Sequence, residues 1–135
     1  MTSPQAALII EASTKILGDG DLDAIARFFT PDFVAHGTEQ DMQGGHEIVR
    51  RFASMLRKSF PDLQVDVEIL VDSDDRVAWQ RTLRGTHEHA FMGFPATGRA
   101  LVWRDMATTR FEGGLIAEDW VITDMVERLL KARKG

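Results

Sequence analysis

The sequence predicts an α+β domain, a strongly curved antiparallel sheet with N-terminal helices covering a hydrophobic pocket. Three observations carry that expectation. Apolar residues recur at helical spacing up to about Lys58 and at a period of two from Leu63 onward. Four long strand-like runs follow one another with no crossover helix between them, so neighbours should pair antiparallel. Strands that long must curl to bury one face against the helices, and a curled sheet roofed by helices encloses a pocket. The 135 residues suit a single domain over 1–135, and no repeat, low-complexity tract or Pro/Gly-rich linker divides them.

Residues 4–17 carry Ala7, Ile10, Ala12, Thr14, Ile16 and Leu17 in an amphipathic helical pattern that GDGD stops. DLDAIARFF predicts a short second helix with Asp21 as its N-cap and Leu22, Ile25, Phe28 and Phe29 as its apolar stripe. Pro31 disfavours helix at Thr30 and ends it. A third helix, from about Gly45 to Lys58, sets Ile48, Phe52, Met55 and Leu56 on one face. LQVDVEILV then alternates, with Leu63, Val65, Val67, Ile69 and Val71 on one side and Gln64, Asp66 and Glu68 on the other. DSDD is a turn into a second strand, Val77 to His87. The glycine-containing loop FMGFPATGR leads to a third strand, about Ala100 to Phe111, and EGG turns into a fourth, Leu115 to Thr123. A last helix runs from Met125 to about Lys131.

Composition narrows the function classes. A chain 44% hydrophobic and 27% charged is that of an ordinary soluble globule. A net charge of −5 argues against nucleic acid or an anionic membrane as the main partner. With no cysteine there is no disulfide, thiol catalysis or thiolate metal site. With no tyrosine, no phenol can donate to an oxyanion. MTSPQAALIIEASTK has no positive leading segment, and its apolar run is too short for a signal peptide or a membrane span, so the cytoplasm is the expected location.

GGLIAEDWVITDMVERLL, residues 113–130, passes from strand to helix with Asp124 at the join. Alternation puts Ile116, Glu118, Trp120, Ile122 and Asp124 on one side and Leu115, Ala117, Asp119, Val121 and Thr123 on the other. An acid beside Trp120 and Ile122 could be a proton carrier whose pKa an apolar surround raises. It could equally cap the last helix, with Glu127 at the reciprocal capping-box position, and a cap carboxylate has a lowered pKa.

FFTPDFVAHG, FPDLQVDVEILVDSDDRVAWQRTLRGTHEHAFMGFPATGR and TTRFEGGLIAEDWVITD resemble the SnoaL-like polyketide (ester) cyclases, of the NTF2-like and ketosteroid-isomerase-like superfamily. The resemblance spans roughly Asp21 to Leu130, and its most specific pieces are GTHEHAFMGFPATGR and RFEGGLIAEDW. It implies the NTF2-like cone, a homodimer or homotetramer, and an intramolecular aldol condensation on a small hydrophobic, polyketide-like carbonyl compound without cofactor or metal. It also implies Asp124 as the general acid/base. Ala107 departs from the pattern, standing where a polar histidine is expected in the characterised cyclases.

Other candidates remain open between two roles. His87 could donate to a substrate carbonyl or enolate, or could fix the FMGFPATG loop. His87 and His89, two apart on a strand, lack an evident third ligand, so no metal site is expected. His36 is a pocket-lining or turn residue, and His46 faces solvent in the first turn of the third helix. Trp79, Trp103 and Trp120 are core or cavity lining; Phe91, Met92 and Phe94, three large apolar groups in one loop, suggest substrate contact. Arg104, sharing a face with Val102 and Met106, must pair or reach the pocket. With Asp124 or Glu118 it could form the arginine-and-two-acids arrangement by which epoxide hydrolases of the superfamily activate water. Epoxide or ester hydrolysis, or simple small-molecule binding, are therefore the competing readings.

Overall fold

The computed structural model describes residues 2–37, 40–73 and 75–134. Helix α1 (Pro4–Ala12) begins where Ser3 Oγ accepts from the Ala6 N–H at 3.0 Å, with Pro4 preset for the first turn. The same hydroxyl donates to Asp72 Oδ1 at 2.9 Å, tying the helix start to the sheet. Ser13–Gly18 continues as a π-helix, followed by a 3-10 turn (Leu22–Ala24) and α2 (Ile25–Phe28). Asp21 makes no capping bond with its side chain, contrary to expectation; the short segment is held by burying Ile25 and Phe28. Helix α3 (His46–Ser59) buries Ala53, Leu56 and Ser59, leaving Met55 exposed.

Six strands form one curved, unclosed sheet: β1 (Phe29–His36), β2 (Asp41–Gln43), β3 (Gln64–Asp72), β4 (Arg76–Thr86), β5 (Ala100–Glu112) and β6 (Leu115–Thr123), in the order β2-β1-β6-β5-β4-β3. The four expected strands are β3 to β6, all antiparallel neighbours. The sheet is nonetheless mixed, because β1 runs parallel to β6. Pro31 interrupts that strand, and its register against β6 shifts between Phe29 and Val34, the irregular setting a strand proline requires. The turn expected at 72–75 includes Asp74, which lies outside the described residues.

Curvature comes from irregular registers, between Ile69 and Val71 on β3 and between Arg110 and Phe111 on β5. The β5–β6 hairpin closes on Gly113 and Gly114, at φ 56° and 80°, values that glycine adopts without strain. Helix α4 (Met125–Lys134) returns along β5, burying Met125 and Leu129. The core lies between the helices and the inner sheet face, where Val77, Trp79, Leu83, Trp103 and Ala107 are all buried. Among the described residues no helix is long and apolar enough to cross a membrane.

Candidate active site

Strict alternation from the buried Ile116 would turn Glu118, Trp120, Ile122 and Asp124 inward. The register shows otherwise. Phe111 faces Ile116 and Arg110 faces Glu118, so Ala117 is the extra residue of a bulge. After it, Asp119 stands opposite Thr109 and Val121 opposite Ala107, both partners buried on the inner face. Glu118, Trp120 and Ile122 consequently point outward, and Ile122 is 70% exposed.

The inner face therefore carries a titratable group that the apolar pattern did not single out. Thr109 Oγ1 donates to Asp119 Oδ1 at 2.6 Å, and Trp79 Nε1 donates to Thr109 Oγ1 at 2.8 Å. The carboxyl lies deep, though Asp119 as a residue keeps some exposed surface. Burial pushes its pKa up to about 6, against the opposing pull of the Thr109 hydrogen bond and the positive charge of Arg81. Arg81 pairs in register with Asp105, and its Nε donates to Asp105 Oδ2 at 2.8 Å in a nearly buried ion pair. The Arg81 guanidinium lies 5.4 Å from the Trp79 ring centroid. Asp105 Oδ1 is buried with no hydrogen-bond partner among the described residues. Arg81, Asp119, Val121 and Thr123 each keep some exposed surface.

Asp124 is placed differently. Its Oδ1 accepts from the Arg104 N–H at 2.8 Å, its own N–H donates to the Arg104 carbonyl, and Oδ2 receives Arg128 Nε at 3.2 Å. Among the described residues neither the apolar wall nor the capping box expected around it is present. Thr123 Oγ1 accepts the Met125 N–H instead, and Glu127 pairs with Lys131. Arg104 meets Asp124 through its backbone, not its guanidinium, and its side chain is on the exposed outer face.

His87 is fully buried, stacked on Phe60 at 5.3 Å, with Nδ1 3.3 Å from Thr97 Oγ1 and Nε2 unpartnered among the described residues. Burial lowers its pKa. It follows the end of β4, eight residues beyond Trp79 or about 26 Å of extended chain, so it sits at the other end of the sheet from Asp119. Its backbone pairs with Arg99 and Gly98 at the root of the following loop. In that loop Phe91 is buried against Phe60, Phe94 is half-buried, and Met92 is 64% exposed at φ 49°. His36 and Trp120 stack on the outer face at 5.1 Å, with Arg76 over the indole at 4.9 Å. His36 is clamped by Asp41 at Nδ1 and Glu118 at Nε2, which raises its pKa, the Glu118 bond being the larger cause.

Of the residues expected around one pocket, then, only Trp79 shares the inner face with Asp119. His36, Trp120 and Arg104 lie on the outer face, and His87 with Phe91, Met92 and Phe94 lies at the sheet's far end. Asp119, Thr109, Arg81 and Asp105, which the inner face carries, are not among the site residues expected from the sequence. The available signal was polar residues at alternate positions in strands otherwise rich in apolar side chains.

A family model described as SnoaL-like polyketide cyclase matches residues 7–131. No curated protein matches the chain significantly. Among solved structures, IdmH from Streptomyces antibioticus, provisionally assigned as a polyketide cyclase, is 27% identical with a TM-score of 0.79, covering 97% of this chain and 99% of that one. AclR from Streptomyces galilaeus, provisionally assigned as a hydroxylase, is 29% identical with a TM-score of 0.82 over 100% of this chain and 88% of that one. A provisionally assigned polyketide cyclase from Acidithiobacillus ferrooxidans matches with a TM-score of 0.85 at 20% identity, over 99% of this chain and 97% of that one, a likeness of fold.

Proposed function

The chain belongs to the SnoaL-like polyketide cyclase family, and from that premise we propose that it catalyses acid/base carbon chemistry on a small apolar carbonyl compound, with Asp119 as the proton carrier. The observation that supports this most is a half-buried, hydrogen-bonded carboxyl on the inner face whose pKa is pushed up to about 6. Such an acid is mostly ionised near neutrality yet basic enough to take a proton from carbon. Asp119 removes a proton from a carbon between two carbonyls. The resulting enolate carbon attacks a second carbonyl of the same molecule, forming the new carbon–carbon bond. The alkoxide so produced receives its proton back from Asp119. Negative charge on the oxygens is stabilised by the nearby Arg81, the electrostatic role that dominates such reactions. Val121, half-buried beside the acid and paired with Ala107, offers apolar surface against which a flexible substrate folds so that its ends meet.

On this reading Asp124 anchors α4 to β5, and His87 secures the 88–99 loop. The test is deuterium exchange at the central carbon of a β-diketone and cyclisation of a linear diketone, with wild type and Asp119→Asn. Loss of about 10²–10⁴-fold in the variant supports the assignment; undiminished exchange removes Asp119 from the mechanism.

One observation favours a second reading. Arg81 is ion-paired with Asp105 and its charge acts on Asp119, and Asp105 Oδ1 has no partner among the described residues. An arginine with two acids can orient and deprotonate water for epoxide or ester opening. Turnover of an epoxide that fails in Asp105→Asn, without exchange of a diketone, would select it. Pairing of two copies through the outer face is part of the proposal, because Val102, Met106 and Ile122 are exposed there. Light scattering of Met106→Glu against wild type tests it.

A further inference from the structure

We propose that Thr109, oriented by Trp79, holds Asp119 Oδ1 as a committed acceptor and so makes Oδ2 the oxygen that takes and returns the substrate proton. The inference rests on Asp119 being the proton carrier. Its basis is the direction of two hydrogen bonds. An indole nitrogen can only donate, and a threonine hydroxyl has a single proton. Trp79 Nε1–H occupies a lone pair of Thr109 Oγ1 at 2.8 Å, so the Thr109 proton is left for Asp119 Oδ1 at 2.6 Å. Thr109 is wholly buried and Trp79 is 5% exposed, so water cannot compete for the hydroxyl.

The two donors are placed by the sheet. Trp79 pairs with Ala107, two residues from Thr109 on the same face, which puts the indole on the diagonal where a long side chain reaches. Thr109 in turn stands directly opposite Asp119. Among the described residues no hydrogen bond reaches Oδ2, so the two oxygens are chemically unequal. An oxygen that accepts a short hydrogen bond is the less basic of the pair, and the proton goes to the other. Few charges can blur this distinction. Arg81 on β4 acts on Asp119, and Asp105 on β5 is its ion-pair partner. Ala35 of β1, opposite Asp119, brings none. Glu11 at the end of α1 and Arg27 on α2 are exposed at the surface. Thr109 and Trp79 are thus positioning residues that act through the acid.

The experiment is a carboxyl-carbon NMR titration of Asp119 in wild type, Thr109→Val, Thr109→Ser and Trp79→Phe. The acid limb of the pH profile for β-diketone exchange is measured alongside. Valine keeps the shape and loses the donor, so the titration midpoint should rise from about 6 by about one pH unit, and the acid limb should follow it. Serine keeps the donor and should leave both near the wild-type position. Phenylalanine at Trp79 should move them the same way by less. An unmoved midpoint in Thr109→Val, or a serine variant that shifts as far as valine, overturns the inference. Should Thr109→Val fail to fold, Trp79→Phe decides alone: a rise supports the relay and no rise refutes it. Activity of Asp119→Asn tests the proton-carrier reading separately. A moved midpoint with an active Asp119→Asn would leave the hydrogen-bond relay standing and the catalytic assignment fallen.

Discussion

Asp119 and Asp124 are the same side chain five residues apart, and the sheet treats them oppositely. Asp119 is turned inward by the bulge at Ala117, where it accepts from a threonine hydroxyl and feels the positive charge of Arg81. Asp124 comes after the last strand residue, where a backbone N–H and the Arg128 guanidinium hold both its oxygens. One carboxyl has its charge disfavoured by burial; the other spends its hydrogen-bonding capacity joining β5 to α4. An acid becomes a candidate for chemistry when the fold leaves it imperfectly satisfied, and becomes a structural tie when the fold satisfies it.

The largest expected effect separates the two directly. Asp119→Asn should lower diketone exchange by about 10²–10⁴-fold, while Asp124→Asn should change it by no more than a few-fold; equal losses would erase the distinction. The same pair should diverge in stability. A carboxyl whose folded pKa lies above its unfolded value stabilises the fold only while protonated. That contribution is full below the unfolded value of 3.8 and is lost as pH rises through about 6. Asp119→Asn should therefore be more stable than wild type at pH 7.5, by up to on the order of 3 kcal/mol, and lose the advantage near pH 4. Urea melts at the two pH values measure it, and a variant destabilised at both would contradict the burial argument.

Asp124→Ala should destabilise by about 1–2 kcal/mol, since the Arg104 N–H loses a charged acceptor and α4 loses its tie. Hydrogen exchange concentrated in α4 would locate the loss. The smallest effect belongs to the outer face. The raised pKa of His36 gives stability that is full below its ordinary 6.5 and is lost as pH rises through the folded value. The lowered pKa of Glu118 gives stability present above its ordinary 4.5 and lost on acidification through the folded value. His36→Gln should thus cost most between about pH 4.5 and 6.5, by no more than about 1 kcal/mol for a half-exposed pair. A pH-independent cost would mean that the stacking on Trp120, not charge, holds the site.

Much of the fold was legible. β6 was expected at Leu115–Thr123, where it lies, and the bounds of β3, β4 and β5 fall within a residue of their expected positions. β3 announces itself because alternation over nine residues has no helical counterpart. β2, made of three exposed residues, did not, and Pro31 interrupts the pattern of β1. The site was hardly legible. On β5 the outer positions Val102 and Met106 are as apolar as the inner Ala107, and the inner set includes Asp105 and Thr109. Hydrophobicity alone could not choose the inward face.

What the sequence by itself determined was the order of elements, the curled sheet and the family, because periodicity and motif are properties of neighbouring residues. Which acid meets the interior was decided only by tertiary structure. The strand's phase depends on one extra residue, Ala117, set by pairing with β5, and a slip of one residue sends every later side chain to the opposite face.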